Sequence, residues 1–415
     1  MTLKDLRAEA KCAFLAGVAA AVPDRTLGQV FEKKPLIEIK DGKYIIISVG
    51  KAACNMAQSA MNALPKGAAV EAIAVTNYEN VVDIAGCRVF GAAHPVPDAN
   101  GLAAASEVIA LLETATKNDV VLALVSGGSS ALLPSPVTGV SLEDKAQVNE
   151  VLLASGFDIT NMNLIRQSLS NLKGGGFLRY AKPATVRSYI LSDVLGDDLR
   201  VVGSGPSIGP IGTIKEARNL LIEKGIFDKM PTSVRKYLET AKDRPALPSP
   251  DATLICSNTQ SLIAMAAKAD AIMIEEPLIG DVHDAADRIL ADVKKHKAPF
   301  VLAYGGETTV NLTGNGRGGR NQELALLVAE KATHAGLTGT WAFLSGGTDG
   351  RDGPTDAAGG LVDGHTLDRI VKAGGDITAL LANNDSYAAL KLSDDLLMTG
   401  ATGTNVADLQ LFLMG

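Results

Sequence analysis

The segment VVLALVSGGSS, residues 120–130, decides how this sequence is expected to fold. Six consecutive aliphatic residues end abruptly in a loop of serines and glycines. A continuous apolar run of this length is typical of a strand that is buried on both faces. The small residues that follow it permit a tight turn into a helix. The segment therefore predicts one strand–loop–helix unit of a parallel α/β sheet.

The same arrangement recurs along the chain. Five further apolar runs end in loops rich in Gly, Ser or Asp, and they are residues 44–49, 186–191, 254–256, 300–303 and 341–344. Ala-rich stretches with helical character lie between many of the runs, at residues 52–63, 101–115 and 323–333. This repetition predicts an α/β protein with a doubly wound, mostly parallel sheet.

A proline-rich segment, RPALPSP at residues 244–250, predicts a linker between domains. A chain of 415 residues is long enough for two or three domains. We expect an N-terminal doubly wound domain over residues 1–245 and a smaller α/β domain over residues 250–415.

Composition excludes several classes of protein. The net charge of -7 lacks the basic footprint of a duplex-binding protein, so no nucleic acid partner is expected. No apolar stretch approaches the ~20 residues that span a membrane. Residues 13–22 are apolar, but acidic residues precede them and the spacing fits an amphipathic helix better than a signal peptide. The four cysteines form no CxxC pair. We expect a cytoplasmic protein with reduced thiols and no membrane partner.

Two N-terminal loops are candidate anion sites, because ligands bind outside the carboxyl ends of parallel strands. Residues 126–130 offer backbone N–H groups and hydroxyls, although a tight turn with a serine N-cap explains them equally well. Lys51 opens the predicted helix 52–63, where a cation opposes the helix dipole. A bound phosphate or carboxylate would reverse that penalty, and the alternative is a lysine that extends into solvent.

Residues 316–323, GRGGRNQE, place Arg317 and Arg320 among three glycines ahead of a predicted helix near Asn321. Arginine suits bidentate contacts with phosphate, and glycine allows the backbone to approach closely. This pattern predicts phosphate binding, with a solvated basic turn as the alternative.

Carboxylates follow other strands. Asp193 ends the strand at residues 186–191 and could act as a general base, a magnesium ligand or an N-cap. The loop at residues 345–356 carries three aspartates, including Asp349, and could hold a metal or order itself. His94 lies in a proline-rich loop that favours a structural turn. The sequence contains no Walker A motif, no convincing GxGxxG fingerprint and no G-x-S-x-G elbow.

These segments together resemble a known family. The matching segments of the N-terminal half are residues 48–53, 93–98, 124–131, 171–175 and 191–194. Those of the C-terminal half are residues 305–310, 318–324 and 345–350. The first set is similar to the N-terminal domain of class II glycerate kinases, and the second to their C-terminal domain, the multi-organism fragment with rich leucine.

The resemblance implies a Rossmann-like N-terminal domain, an active site between two domains, and phosphorylation of D-glycerate to 2-phosphoglycerate with ATP and Mg²⁺. It implies that Lys51, Arg320 and Asp193 are catalytic and that one or two of Asp193, Glu307 and Asp349 hold the metal. The expected binding residues are Ser126, Gly127, Gly128, Ser129, Ser130, Gly305, Gly306, Glu307, Arg317, Asn321 and Glu323. The oligomeric state stays open, and a homodimer is compatible with the sequence.

Two other functions are considered. One is a hydroxypyruvate reductase that uses a nicotinamide cofactor, and the missing dinucleotide fingerprint argues against it. The other is a non-catalytic module that senses anions or sugar acids through residues 126–130.

Overall fold

The computed structural model describes residues 1–194 and 196–415. The α-helices are α1 (Leu3–Ala20), α2 (Pro23–Lys33), α3 (Ala53–Asn62), α4 (Ala99–Glu113), α5 (Ser129–Leu132), α6 (Leu142–Ala154), α7 (Ile159–Ser168), α8 (Gly176–Tyr180), α9 (Ile214–Glu223), α10 (Thr232–Thr240), α11 (Asn258–Lys268), α12 (Val282–Val293), α13 (Arg320–His334), α14 (Thr366–Lys372), α15 (Ile377–Ala382) and α16 (Ser386–Leu392). The strands are β1 (Tyr44–Val49), β2 (Val70–Asn77), β3 (Cys87–Ala92), β4 (Val120–Val125), β5 (Thr185–Leu191), β6 (Asp251–Cys256), β7 (Ile272–Met273), β8 (Leu278–Asp281), β9 (Phe300–Thr309), β10 (Trp341–Gly347), β11 (Gly359–Asp363), β12 (Leu396–Leu397) and β13 (Asp408–Met414).

The chain forms two compact units. One comprises residues 23–255, and the other combines residues 1–22 with residues 256–415. These bounds differ from the expected domains of residues 1–245 and 250–415 chiefly at the N-terminus. Helix α1 buries Leu6, Phe14 and Val18 against α11 and the sheet of the second unit, so its apolar face belongs to that core. Within the part of the chain that the model describes, no helix is long and apolar enough to cross a membrane.

The proline-rich segment at residues 244–250 is not a free linker. It has no regular secondary structure. However, the guanidinium of Arg244 donates hydrogen bonds to the carbonyls of Gln167, Ser168 and Ser170. The prolines therefore precede β6, the last strand of the first unit, and the chain enters the second unit at Cys256.

The unit of residues 23–255 contains a six-stranded sheet in the order β3-β2-β1-β4-β5-β6. Strands β1 to β5 pair in parallel, and Val49 at the end of β1 lies opposite Val125 at the end of β4. The aliphatic strand residues are buried, which confirms the doubly wound sheet predicted from the apolar runs. The strand order changes direction between β1 and β4, so the loops that leave these two strands lie side by side.

The second unit contains a mixed sheet in the order β12-β11-β10-β13-β9-β7, with β8 also paired to β9. Strand β13 is antiparallel to both β9 and β10, whereas β7 and β8 pair with β9 in parallel. Helices α12 and α13 pack on one face, and α1 and α11 pack on the other. Strands covered on both faces are apolar throughout, whichever direction they run.

Two predicted loops of this unit are strand residues instead. Strand β9 continues through Gly305, Gly306 and Glu307, and β10 continues through Gly347. At Gly346 a Cβ atom would lie 2.9 Å from the ring of Phe14. Gly346 therefore has a packing role, because it lets α1 approach the sheet.

Candidate functional site

Hydrogen bonds join the turns that follow β1 and β4, at the point where the strand order changes. Gly50 has a positive φ of 125°, and a Cβ atom there would overlap Ser126. The Ser126 hydroxyl accepts a hydrogen bond from the Ala52 N–H at 3.1 Å, and the Ser126 N–H donates to the Val49 carbonyl at 2.9 Å. Ser126 is fully buried. Its hydroxyl joins the two turns, and a contact between Ser126 and a ligand stays a prediction.

Lys51 lies beside the predicted glycine loop. Its N–H donates to the Gly127 carbonyl at 2.9 Å, and its Cγ lies close to Gly128. Helix α3 begins at Ala53 with Ala52 as its N-cap, so Lys51 precedes the helix and does not occupy its first turn. The dipole penalty expected for Lys51 is correspondingly smaller. The structure nevertheless brings Lys51 and residues 126–130 together.

The three loop serines have different environments. Ser129 is buried like Ser126, and the helix that it begins, α5, has only four residues. The Ser130 hydroxyl accepts a hydrogen bond from the Lys173 ammonium at 2.6 Å and lies 3.2 Å from the Ser204 hydroxyl. Ser130 also lines a cavity. It is therefore the loop hydroxyl best placed to meet a ligand.

This cavity, which we call the cationic cavity, has a volume of about 230 Å³. Its polar lining consists of His94, Ser130, Lys145, Asn149, Arg166 and Lys173. The described residues contribute three basic side chains to this lining and no carboxylate. The buried Lys145 ammonium has no hydrogen-bond partner within residues 1–194 and 196–415, and Arg166 Nε donates to Asn149 Oδ1 at 2.9 Å.

Burial and mutual repulsion shift the pKa values of these groups. Burial, and secondarily Arg166, lowers the pKa of Lys145 to about 8. Burial holds the pKa of Lys173 well below its ordinary value, and Lys145 and Arg166 lower it further. Burial also lowers the pKa of Arg166. Like charges gathered away from water are unfavourable without a counterion, so an anion bound in the cavity would relieve their repulsion.

Lys145, Arg166 and Lys173 were not predicted as site residues from the sequence. The sequence does contain a sign of this site in α6, because Lys145 shares a helix face with the buried Val148 and Leu152 at i+3 and i+7. A cation on an apolar face is unusual enough to mark a site. His94, which was assigned to a structural turn, also borders the cavity.

Asp193 follows β5, the strand next to β4, so its loop leaves the same edge of the sheet. Its side chain is half-buried. The position suits the general base or the magnesium ligand that the sequence suggested, and both roles stay predictions.

In the second unit, Arg320 is the first residue of α13 and is held by two carboxylates. Its Nε and Nη2 contact the Asp408 carboxylate at 2.6 and 3.0 Å, and its Nη1 contacts Glu307 at 3.0 Å. Burial alone would lower the pKa of Arg320, but Asp408 and Glu307 outweigh burial and raise it. The charge of Arg320, the residue predicted to bind phosphate, is therefore already neutralised. The more exposed of its two partners is Glu307, whose side chain is 47% exposed, against 0% for Asp408.

The other predicted binding residues of this unit are engaged internally. Arg317 donates two hydrogen bonds to the Pro354 carbonyl at 3.1 and 2.8 Å. Asn321 is buried, and its side chain accepts from Ser345 at 2.6 Å. Glu323 is buried beside Asn384, and burial raises its pKa to about 7. Asn321 and Glu323 thus support the start of α13, and their assignment as ligand contacts stays a prediction.

No metal centre is preassembled. Within the described residues, no three His, Cys, Asp or Glu side chains are grouped as metal ligands. The assignment of one or two of Asp193, Glu307 and Asp349 as magnesium ligands stays a prediction. Asp349 Oδ1 accepts a hydrogen bond from the Arg351 N–H at 3.0 Å, which orders its loop.

Comparison with known proteins places this geometry in a family. Residues 9–239 match a domain of unknown function, DUF4147, and residues 300–408 match the MOFRL family. A D-glycerate 2-kinase of Thermotoga maritima is 39% identical, with 96% of this chain and 95% of the relative covered. A protein of Agrobacterium vitis with the provisional name hydroxypyruvate reductase is 37% identical, with 90% of this chain and 100% of the relative covered.

A solved structure agrees with the fold. The crystal structure of a glycerate kinase from Thermotoga maritima superposes with a TM-score of 0.85 at 37% identity, with 99% of this chain and 100% of that chain covered. Because identity exceeds 30% over nearly the whole length and both halves match their family models, the chain belongs to the glycerate kinase family that combines a DUF4147 domain with a MOFRL domain.

Proposed function

We propose that the protein is a glycerate 2-kinase that transfers the γ-phosphoryl group of ATP to D-glycerate and releases 2-phosphoglycerate and ADP. The observation that carries this proposal is the cationic cavity, to whose lining the described residues contribute three basic side chains and no carboxylate. D-glycerate is a small acid, so its size and charge suit this cavity. The family relationship narrows the choice of reaction to phosphoryl transfer.

Phosphoryl transfer depends on alignment and on neutralising the charge that spreads over the phosphoryl oxygens. The oxygen of the substrate's C2 hydroxyl attacks the γ-phosphorus, the bond from the γ-phosphorus to the β,γ-bridging oxygen breaks, and ADP departs. Lys51, beside Gly128 at the rim of the cationic cavity, is positioned to stabilise this charge. Asp193 at the same sheet edge is our candidate to accept the hydroxyl proton.

Magnesium fits this donor set as an ion carried by the nucleotide. Proteins commonly hold Mg²⁺ through substrate phosphates, waters and one or two carboxylates, so a three-ligand cage is unnecessary. In the first unit, Asp193 is the candidate ligand only in the alternative where it does not accept the proton. Glu307 and Asp349 are the candidate ligands within the second unit. When bound, the ion would offset the negative charge of the phosphates.

Reduction of hydroxypyruvate is the second candidate, because the strand order 3-2-1-4-5-6 occurs in dinucleotide-binding folds and two relatives from Agrobacterium vitis are named for that activity. The turn that follows β1 argues against a reductase. A dinucleotide site needs a glycine-rich turn there, whereas this chain has the sequence SVGKAA with Lys51 at the turn.

Purified protein should be incubated with ATP, Mg²⁺ and D-glycerate, with enolase added to detect 2-phosphoglycerate. The proposal expects product without added phosphoglycerate mutase. A signal only with mutase would identify 3-phosphoglycerate as the product. Oxidation of NADH by hydroxypyruvate without ATP would identify a reductase, and binding of D-glycerate without either reaction would identify a sensing module.

A further inference from the structure

We propose that Lys145, Arg166 and Lys173 form the subsite that binds the carboxylate of the substrate and thereby restrict the enzyme to small hydroxy acids. This inference rests on the proposed function and adds the residues that determine its specificity. We call these three side chains the carboxylate subsite.

The subsite is assembled from separate elements and held in place. Lys145 projects from α6, Arg166 from α7, and Lys173 from the segment that follows α7. Asn149 fixes Arg166, and Ser130 accepts from Lys173 at 2.6 Å. The Lys145 ammonium is buried and has no partner within the described chain. A buried donor without an acceptor is costly, so its hydrogen bonds are available to a ligand that enters the cavity.

The dimensions and walls favour a small organic acid over a nucleotide. The cavity volume of about 230 Å³ falls below the range of roughly 300–1,000 Å³ typical of sites for drug-sized ligands. The remaining lining is largely apolar, with Pro134, Leu142, Ala146, Val148 and Leu169. Such walls suit the short carbon chain of an acid whose carboxylate meets the cations.

The same lining includes Gly128, and Lys51 Cγ lies close to Gly128. A substrate anchored at the carboxylate subsite would therefore remain near the predicted phosphoryl-transfer site. The subsite binds one end of the acid while Lys51 serves the reacting end.

The test uses Lys145→Met and Lys145→Gln, with Lys236→Met on the exposed surface of α10 as the matched control. Calorimetric titration with D-glycerate, without ATP, measures the subsite directly. Loss of one charge-assisted hydrogen bond should raise Kd about 10- to 100-fold in both Lys145 variants. KM for D-glycerate should rise in parallel, KM for ATP should change less than about twofold, and the control should match wild type. Wild type should not bind glycerol, which lacks the carboxylate.

Unchanged D-glycerate affinity in folded Lys145 variants would overturn the inference. So would loss of ATP binding with D-glycerate binding intact, because the cavity would then serve the nucleotide. Failure of the proposed function looks different. In that case wild type would form no ADP, while its binding of D-glycerate would still depend on Lys145.

Discussion

Replacing Arg320 by methionine should destabilise the protein before it reveals anything about catalysis. The Asp408 side chain is 0% exposed and receives two contacts from Arg320, at 2.6 and 3.0 Å. Breaking a buried pair by removing one partner costs about 3–5 kcal/mol. Because the Arg320 side chain is 33% exposed, we expect a smaller loss of roughly 2–3 kcal/mol. That corresponds to a Tm decrease of about 4–12 °C for a unit of this size.

Differential scanning calorimetry at pH 7 measures this change, and the double variant Arg320→Met/Asp408→Asn is the control. Removing both charges should restore most of the lost stability, because no carboxylate is left buried without a partner. Activity should stay low in the double variant if Arg320 also contacts phosphate. A single variant that unfolds at the wild-type temperature would refute the reasoning, since Asp408 would then not depend on Arg320.

Three further variants test other parts of the site. Lys51→Ala should leave Tm nearly unchanged, because alanine keeps the backbone hydrogen bonds to Gly127 and Asn80, while kcat falls at least ~100-fold by loss of transition-state stabilisation. Glu307→Gln removes the ion pair with Arg320 Nη1 and makes this group available to phosphate, so KM for ATP should fall about two- to fivefold. A large loss of kcat would instead indicate that Glu307 is a metal ligand. Lys145→Met should raise the Tm of the ligand-free protein at pH 7, since it removes a buried charge. The pKa of Lys145 in the folded protein, about 8, lies below the ordinary value of 10.5. The gain in stability of Lys145→Met over wild type should therefore be full below pH 8 and shrink between pH 8 and pH 10.5.

The sequence was sufficient to predict the parallel sheet of the first unit. Continuous apolar runs such as Val120–Val125 are characteristic of strands covered on both faces, and the loops after them locate the sheet's carboxyl edge. The same rule failed to give strand direction in the second unit. Trp341–Gly347 is equally apolar because helices cover both faces of an antiparallel pair there.

The sequence predicts which residues lie together when they follow adjacent strands, but it does not reveal pairing between residues that are distant along the chain. Lys51 and residues 126–130 follow adjacent strands, so their proximity follows from topology. The partner of Arg320, Asp408, lies 88 residues further along the chain, and no local pattern reveals that the guanidinium is already paired. Lys145 was overlooked because its importance depends on which face of α6 is buried. An active site between the two domains stays a prediction.

Detection of 2-phosphoglycerate by ³¹P NMR in a mixture of protein, ATP, Mg²⁺ and D-glycerate tests the central claim most directly. We expect one 2-phosphoglycerate for each ADP formed, and no product when glycerol replaces D-glycerate. Hydrolysis of ATP without a phosphorylated acid, or a product phosphorylated at C3, would contradict it.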